Sequence, residues 1–293
     1  MLGSGLPISV VVPVRNEERN LSNCLARLDG FAEVFVVDSN STDRTREIAI
    51  RHGATLVDFQ WNGKFPKKRN WCLRNLPFRT EWVLFLDADE CVSDALKSEL
   101  RATLFGTAYN GFWISYDNWF AGRLLRHGDC MRKLSLMRLG AGEYEHIDED
   151  HWSLLDMEVH EHPVIGGRVS SLRKHIEHRD FKGLDAYIAR HNDYSTWEAK
   201  RYLSLRRQVD WKPTRRQRIK YKLLNTWFAG PLYFFGSYLL KGGFMDGRAG
   251  FQLALLKMFY FLLIKCKINE FLDADVQKRP LPGGDVPIIN RNC

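Results

Sequence analysis

Residues Ile8 to Val14 read Ile-Ser-Val-Val-Val-Pro-Val, a β-branched run with almost no polar alternation. A strand that faced water on one side would alternate. A continuous apolar strand is covered on both faces, as happens when helices pack on each side of a parallel sheet. Parallel neighbours need crossover helices, so this run predicts strand and helix in alternation along the chain. The rest of the N-terminal half follows. Leu21, Leu25 and Leu28 have helical spacing, and Glu33–Val37 is a second strand. Ser39-Asn40-Ser41-Thr42-Asp43 carries turn and N-cap chemistry and opens a helix to about His52, with Gly53 as its C-cap. Ala54–Phe59 is a third strand, Lys67–Leu76 a helix, and Trp82–Leu86 a fourth, buried strand. The expected fold is a doubly wound α/β sheet.

In such sheets ligands bind beyond the carboxyl ends of the strands. Here those ends are polar: Arg15-Asn16-Glu17 after the first strand, Asp38 after the second, Asp87-Ala88-Asp89-Glu90 after the fourth. Three strand ends thus project acids or their partners into one crevice. Two carboxylates one residue apart at a strand end can share a divalent cation. Hard oxygen ligands suit Mg²⁺ or Mn²⁺, which keep positions open for the phosphates of a substrate. The competing reading of Asp87 and Asp89 is a surface pair ahead of the next helix, where Ser93-Asp94 also has the look of a cap.

The quoted segments, in order and spacing, add a resemblance. VVPVRNEERNL, VFVVDSNSTDRT, KKRN and FLDADE resemble the family-2 glycosyltransferases of the GT-A fold over about the first hundred residues. MEVHEHPV, LRKHIEHRDF, YIARHNDYS and GGFMDGRAGF extend it more loosely, and are similar to the bacterial glucosyltransferases that build lipopolysaccharide core. The resemblance implies that Pro13, Val14, Arg15 and Glu17 line a nucleotide pocket. Asp38 would bond the base, supported by Ser39 and Asp43. Lys68, Arg69 and Asn70 would sit near the diphosphate or base, and Asp87, Ala88 and Asp89 would meet ribose and metal. Glu17 and Asp43 read equally well as first-turn acids of helices.

Inverting sugar transfer needs a base for the acceptor hydroxyl. Many relatives carry an acid in a Glu-Asp or similar motif; here His160-Glu161 stands in that place, which nominates Glu161 as base and His160 as a metal ligand or as the residue that orients it. The acids Asp148, Glu149 and Asp150 are rivals. His160 and His162 have no third close ligand, which speaks against zinc. His178 is expected on the acceptor side by resemblance, or in a structural polar network. Trp113, Tyr116, Trp119 and Phe120 are candidates for a sugar-stacking wall, though core is the better reading.

The last third changes character. Arg201–Lys222 is dense in Arg and Lys, and Trp227–Leu240 and Phe251–Ile264 are apolar and aromatic. Each run is about fourteen residues, short for a bilayer crossing. A basic stretch followed by such runs predicts a helical unit lying on a membrane surface. The formal charge of +8 agrees with an anionic partner. Nucleic acid is set aside: the basic run has few interleaved aromatics and no RNA-binding signature. No secretory signal is evident and the six cysteines form no C-x-x-C pair, so a cytoplasmic-facing protein is expected, on the inner (plasma) membrane.

The expectation is therefore a GT-A domain at 1–200 and a basic, apolar helical region at 201–293. It would move a hexose from a nucleotide-diphosphate sugar, UDP favoured, to a glycolipid or polysaccharide acceptor. Two alternatives stand beside it. A nucleotidyltransferase would usually show a glycine-rich basic loop after the first strand, where this chain has Pro-Val-Arg-Asn-Glu-Glu. A non-catalytic membrane-surface protein on a transferase fold is the other.

Overall fold

The computed structural model describes residues 5–128, 130–147, 149, 155, 156, 158, 161–207 and 215–277. In chain order the strands are β1 (Leu6–Val14), β2 (Phe31–Asp38), β3 (Thr55–Asp58), β4 (Trp82–Phe85), β5 (Glu90–Val92), β6 (Gly111–Phe120), β7 (Arg123–Leu124), β8 (Arg132–Arg138), β9 (Gly142–Tyr144), β10 (Pro163–Ile165), β11 (Val169–Ser171) and β12 (Ile176–His178). The helices are α1 (Leu21–Leu25), α2 (Thr45–Arg51), α3 (Lys68–Asn75), α4 (Asp94–Leu104), α5 (Gly183–Arg207), α6 (Arg215–Leu224), α7 (Ala229–Phe234) and α8 (Gly247–Gln277).

The main sheet runs β3-β2-β1-β4-β8-β6-β12-β5, with β7 and β11 added to β6. β3, β2, β1 and β4 are parallel, as the β-branched run requires. β8 then enters antiparallel to both β4 and β6, so the sheet is mixed beyond its first half. β1 explains its own composition. Ile8, Val10, Val12 and Val14 pack against Leu21 and Leu25 of α1 and Leu96 and Leu100 of α4. Val11 points to the other face, with Cys72 of α3, Phe59 and Tyr144. Burying each such side chain contributes roughly 1.5–3 kcal/mol relative to exposure. In register, Val14 of β1 lies beside Asp38 of β2, which is why two strand ends open into the same crevice.

Position 200 falls inside α5, a continuous helix of 25 residues. Its second half packs Ala199, Tyr202 and Leu203 against Ile264 and Ile268 of α8. The expectation of apolar runs too short to cross a bilayer is revised: Gly243–Ala274 is one helical stretch of 32 residues, long and apolar enough to do so. Lys257 breaks the apolar run in sequence without breaking the helix.

Candidate active site

Asp87 and Asp89 follow β4, and Glu90 begins β5. One carboxylate oxygen from each of these three lies within 4.8 Å of the others. The chain surrounds them with cations from distant elements. Lys133 Nζ, from β8, donates to Asp87 Oδ2 and Glu90 Oε1, each at 2.6 Å. Arg69 NH2, from the first turn of α3, donates to Asp87 Oδ1 at 2.7 Å. His178 Nε2, at the end of β12, lies 3.3 Å from Asp89 Oδ2. β12 arrives there because it runs antiparallel to β5, with His178 opposite Glu90.

These contacts set the protonation states. Burial alone would raise the Asp87 carboxyl; Lys133 and Arg69 outweigh it and hold Asp87 well below the usual carboxylate range. Burial pushes Glu90 up to about 7, against the opposing pull of Lys133. Burial works against a charged His178, yet its hydrogen bond to Asp89 raises it above the ordinary histidine value. With both Asp87 oxygens taken by nitrogen donors, Asp89 and His178 form the less committed edge of the cluster.

The donor-side residues meet beside α3. Lys68 is buried, donates to the Val14 carbonyl at 3.3 Å and pairs with Asp156 at 3.2 Å. Burial lowers its ammonium below the usual lysine range. Asp156 also accepts from the Ser39 hydroxyl. Asp38 is fully buried and accepts from Ser41 and from Arg46, the latter at 2.9 Å. Arg15 is exposed at the β1 end, and its charge helps hold Asp156 ionised. Pro13 and Val14 are buried in β1 beside Val37 and Asp38, and Ala88 is buried between the two acids.

Other candidates have structural partners. Asn70 is locked to Tyr144 by a reciprocal pair, Nδ2 to the Tyr144 carbonyl at 3.0 Å and Tyr144 N–H to Oδ1 at 2.8 Å. Asp43 accepts from the N–H of Thr45 and of Glu18, tying the start of α2 to the β1 loop. Glu17 pairs with Lys182 at 2.6 Å and accepts from Asn20, which also bonds Asp180. Tyr116 is core. Glu161 is buried, with Oε1 accepting from Lys67 at 3.0 Å; Lys67 also pairs with Glu149. Burial alone would raise Glu161, but the Lys67 ammonium and a hydrogen bond with Glu149 hold it below its usual range. His160, Asp148 and Asp150 lie outside the described residues. Sequence reading missed Lys133 and the contact of His178 with Asp89. A lysine followed by a strand-like run at Leu134–Met137 was the available signal for the first.

Residues 9–162 match the model of glycosyl transferase family 2. A lipopolysaccharide core biosynthesis glycosyltransferase of Rhizobium meliloti (strain 1021), LpsC, is 28% identical over 282 residues, which cover 90% of this chain and 93% of LpsC. An uncharacterised glycosyltransferase of Rickettsia bellii is 31% identical over 111 residues, 38% of this chain and 36% of its own. Among solved structures, a mannosyltransferase of Pyrobaculum calidifontis in complex with GDP-Man and Mn²⁺ aligns over 90% of this chain and 87% of its own, with a TM-score of 0.48 and 16% identity.

Proposed function

The chain belongs to glycosyl transferase family 2, and from that premise we propose that it moves a hexose from a UDP-sugar to a glycolipid of the lipopolysaccharide-core type, with inversion. One observation carries the reading: the carboxylates of Asp87, Asp89 and Glu90 converge between β4 and the start of β5, within the span of the family match. The likeness to LpsC along nearly its whole length supports the acceptor class.

The residues fit a divalent cation. Three carboxylate oxygens converge, and Asp89 already faces an imidazole nitrogen, a donor set that accepts Mg²⁺ or Mn²⁺. Asp89 and Asp87 would hold the ion, with His160, from the undescribed segment, as a further candidate, and His178 would stand beside it through its contact with Asp89. Bound there, the ion would supply positive charge against the leaving diphosphate. The protein does the rest. Asp38 and Ser39 would meet the base, and Arg15 and Lys68 the donor's anionic part, as the family resemblance implies. Arg69 fixes Asp87. Glu161, kept ionised by Lys67, takes the acceptor's proton. The reaction takes place at the cytoplasmic face of the inner membrane, with α6, α7 and the apolar stretch that follows them meeting the lipid surface.

The test is sugar transfer and donor hydrolysis with a panel of nucleotide sugars, with and without Mn²⁺. Asp89→Ala should lose on the order of a hundredfold or more in turnover. Full metal-dependent turnover in that variant would sink the proposal. Glu161→Gln should lose turnover while its melting temperature stays close to wild type. If Glu161→Gln and Lys67→Met instead lose stability together and keep kcat, Glu161 is a buried ion-pair partner and the base lies elsewhere.

A further inference from the structure

The loop after His178 carries a cation that the mechanism above does not use. Arg179 is exposed, and its guanidinium carbon lies 4.7 Å from the centre of the Trp119 ring and 5.1 Å from that of Phe181. Its backbone N–H donates to the carbonyl of Asp89 at 2.9 Å, so it is fixed to the metal-site loop itself. The neighbouring charges are compensated: Lys182 by Glu17 at 2.6 Å, Arg190 by Asp180 at 2.7 Å, and His178 by Asp89 at 3.3 Å. Arg179 is different, since among the described residues no carboxylate stands within 4 Å of its guanidinium. Two aromatic rings hold it by cation–π attraction, which leaves its N–H donors unspent.

Aromatic contact restricts a long side chain without neutralising it. A guanidinium prepared this way is an anion receptor, and its fork matches carboxylate and phosphate oxygens two at a time. The β-sheet register explains its place. β12 runs parallel to β6 with His178 beside Asn118, so the next residues along, Arg179 and Trp119, emerge together at the carboxyl ends. Lys68 belongs to α3, and Asp38 and Ser39 to the end of β2 and the residue after it; β2 stands on the other side of β4 from β6 and β12 in the sheet order.

We propose that Arg179, set between Trp119 and Phe181, recognises an anionic group, phosphate or carboxylate, on the acceptor sugar. The proposal rests on the transferase reading for the word acceptor; the anion site itself does not. Arg179 thereby selects acceptors by charge and orients them toward Asp89.

The experiment uses the full chain saturated with UDP, so that the donor's phosphate positions are filled. Binding of glucose, glucose 6-phosphate and glucuronate is titrated calorimetrically for wild type, Arg179→Gln and Arg179→Lys. Wild type should bind at least one charged sugar about tenfold or more tighter than glucose, as a charge-assisted fork permits. Arg179→Gln should erase that preference with UDP affinity unchanged, and Arg179→Lys should restore part of it. Preference for glucose 6-phosphate alone assigns a phosphate, for glucuronate alone a carboxylate. Equal binding of all three sugars by wild type, or a preference that survives in Arg179→Gln, overturns the proposal. Donor hydrolysis measured on the same preparations separates the outcomes: its absence in wild type counts against the transferase reading and leaves the anion preference to stand or fall by itself.

Discussion

Lys133 spans two carboxylates that would otherwise repel, Asp87 and Glu90, at 2.6 Å each. Burial disfavours its charge, yet the two acids hold its ammonium well above the usual lysine range. Replacing it with methionine removes a positive charge from the centre of an acidic cluster. The electrostatic consequence has a definite sign: a divalent cation should bind more tightly, because a competing cation is gone. We expect Lys133→Met to lower the Mn²⁺ dissociation constant severalfold in a spin-resonance titration, and to lower stability by leaving Asp87 and Glu90 to repel each other. An unchanged Mn²⁺ affinity would mean that Lys133 does not act on the metal position. The same residue shows where sequence reading stops. Asp87 and Asp89 were legible because a buried strand ends on them, and strand ends in such sheets face ligands. Lys133 reaches them from a strand 46 residues on, by an antiparallel register that no local pattern encodes. His178 reads in sequence as an acceptor-side residue or a member of a polar network, and its partner Asp89 is supplied only by the β12–β5 pairing.

The segment Gly-Gly-Phe-Met-Asp-Gly-Arg-Ala-Gly-Phe became intelligible only as a joint between elements. Asp246 closes a short 3₁₀ turn ahead of α8 and is buried. It accepts from the backbone N–H groups of Arg126 and His127 at 2.9–3.2 Å and meets His127 Nδ1 at 3.1 Å. The loop after β7 is thereby clamped to the start of α8. Gly250 is required for close approach: a Cβ there would overlap the carbonyl oxygen of Gly243. Strand and helix patterns were readable because their periods are local. This joint was not, because its hydrogen bonds cross 120 residues of chain. Burial would raise the Asp246 carboxyl, but the N–H groups it accepts and His127 hold it below the usual aspartate range. A depressed folded value means stability that is present above the unfolded value, about pH 4, and is lost as pH falls through the folded one. Asp246→Asn should therefore cost about 2 kcal/mol at neutral pH, the scale of hydrogen bonds to a charged group. It should also flatten the acid limb of the stability curve below about pH 4. Urea melts between neutrality and acid check both; a variant with wild-type stability and an unchanged acid limb removes the joint.

At the scale of the molecule, one stretch of the chain exposes a run of large apolar side chains. Trp227, Phe228, Leu232, Phe235, Leu239, Leu240, Phe244 and Met245 are each at least half exposed, and Leu240 is 87% exposed. Phe251, Phe259 and Leu263 of α8 add to them. Exposed apolar side chains in one stretch of sequence mark an interaction surface. α6 precedes them with Arg215, Arg218, Lys220 and Lys222. That order, cations and then exposed aromatics, matches a headgroup layer above acyl chains. α8 is long enough to span a bilayer, but it lies along α5 through Ile264 and Ile268, buried against Tyr202 and Leu203. Crossing would strip that contact, whereas lying on a surface would keep it. The two contributions separate in a vesicle sedimentation assay. Phe228→Ser with Leu240→Ser should weaken binding to neutral and anionic vesicles alike, by an order of magnitude or more at roughly 1.5–3 kcal/mol for each buried side chain. Arg218→Gln with Lys222→Gln should weaken binding to anionic vesicles only, by about fivefold for each charge at about 1 kcal/mol. That loss should be absent from neutral vesicles and should shrink as salt is raised. If neither pair changes sedimentation, the apolar stretch meets something other than lipid. If only the charges matter, the aromatic stretch stays outside the bilayer and the protein rides on headgroups alone.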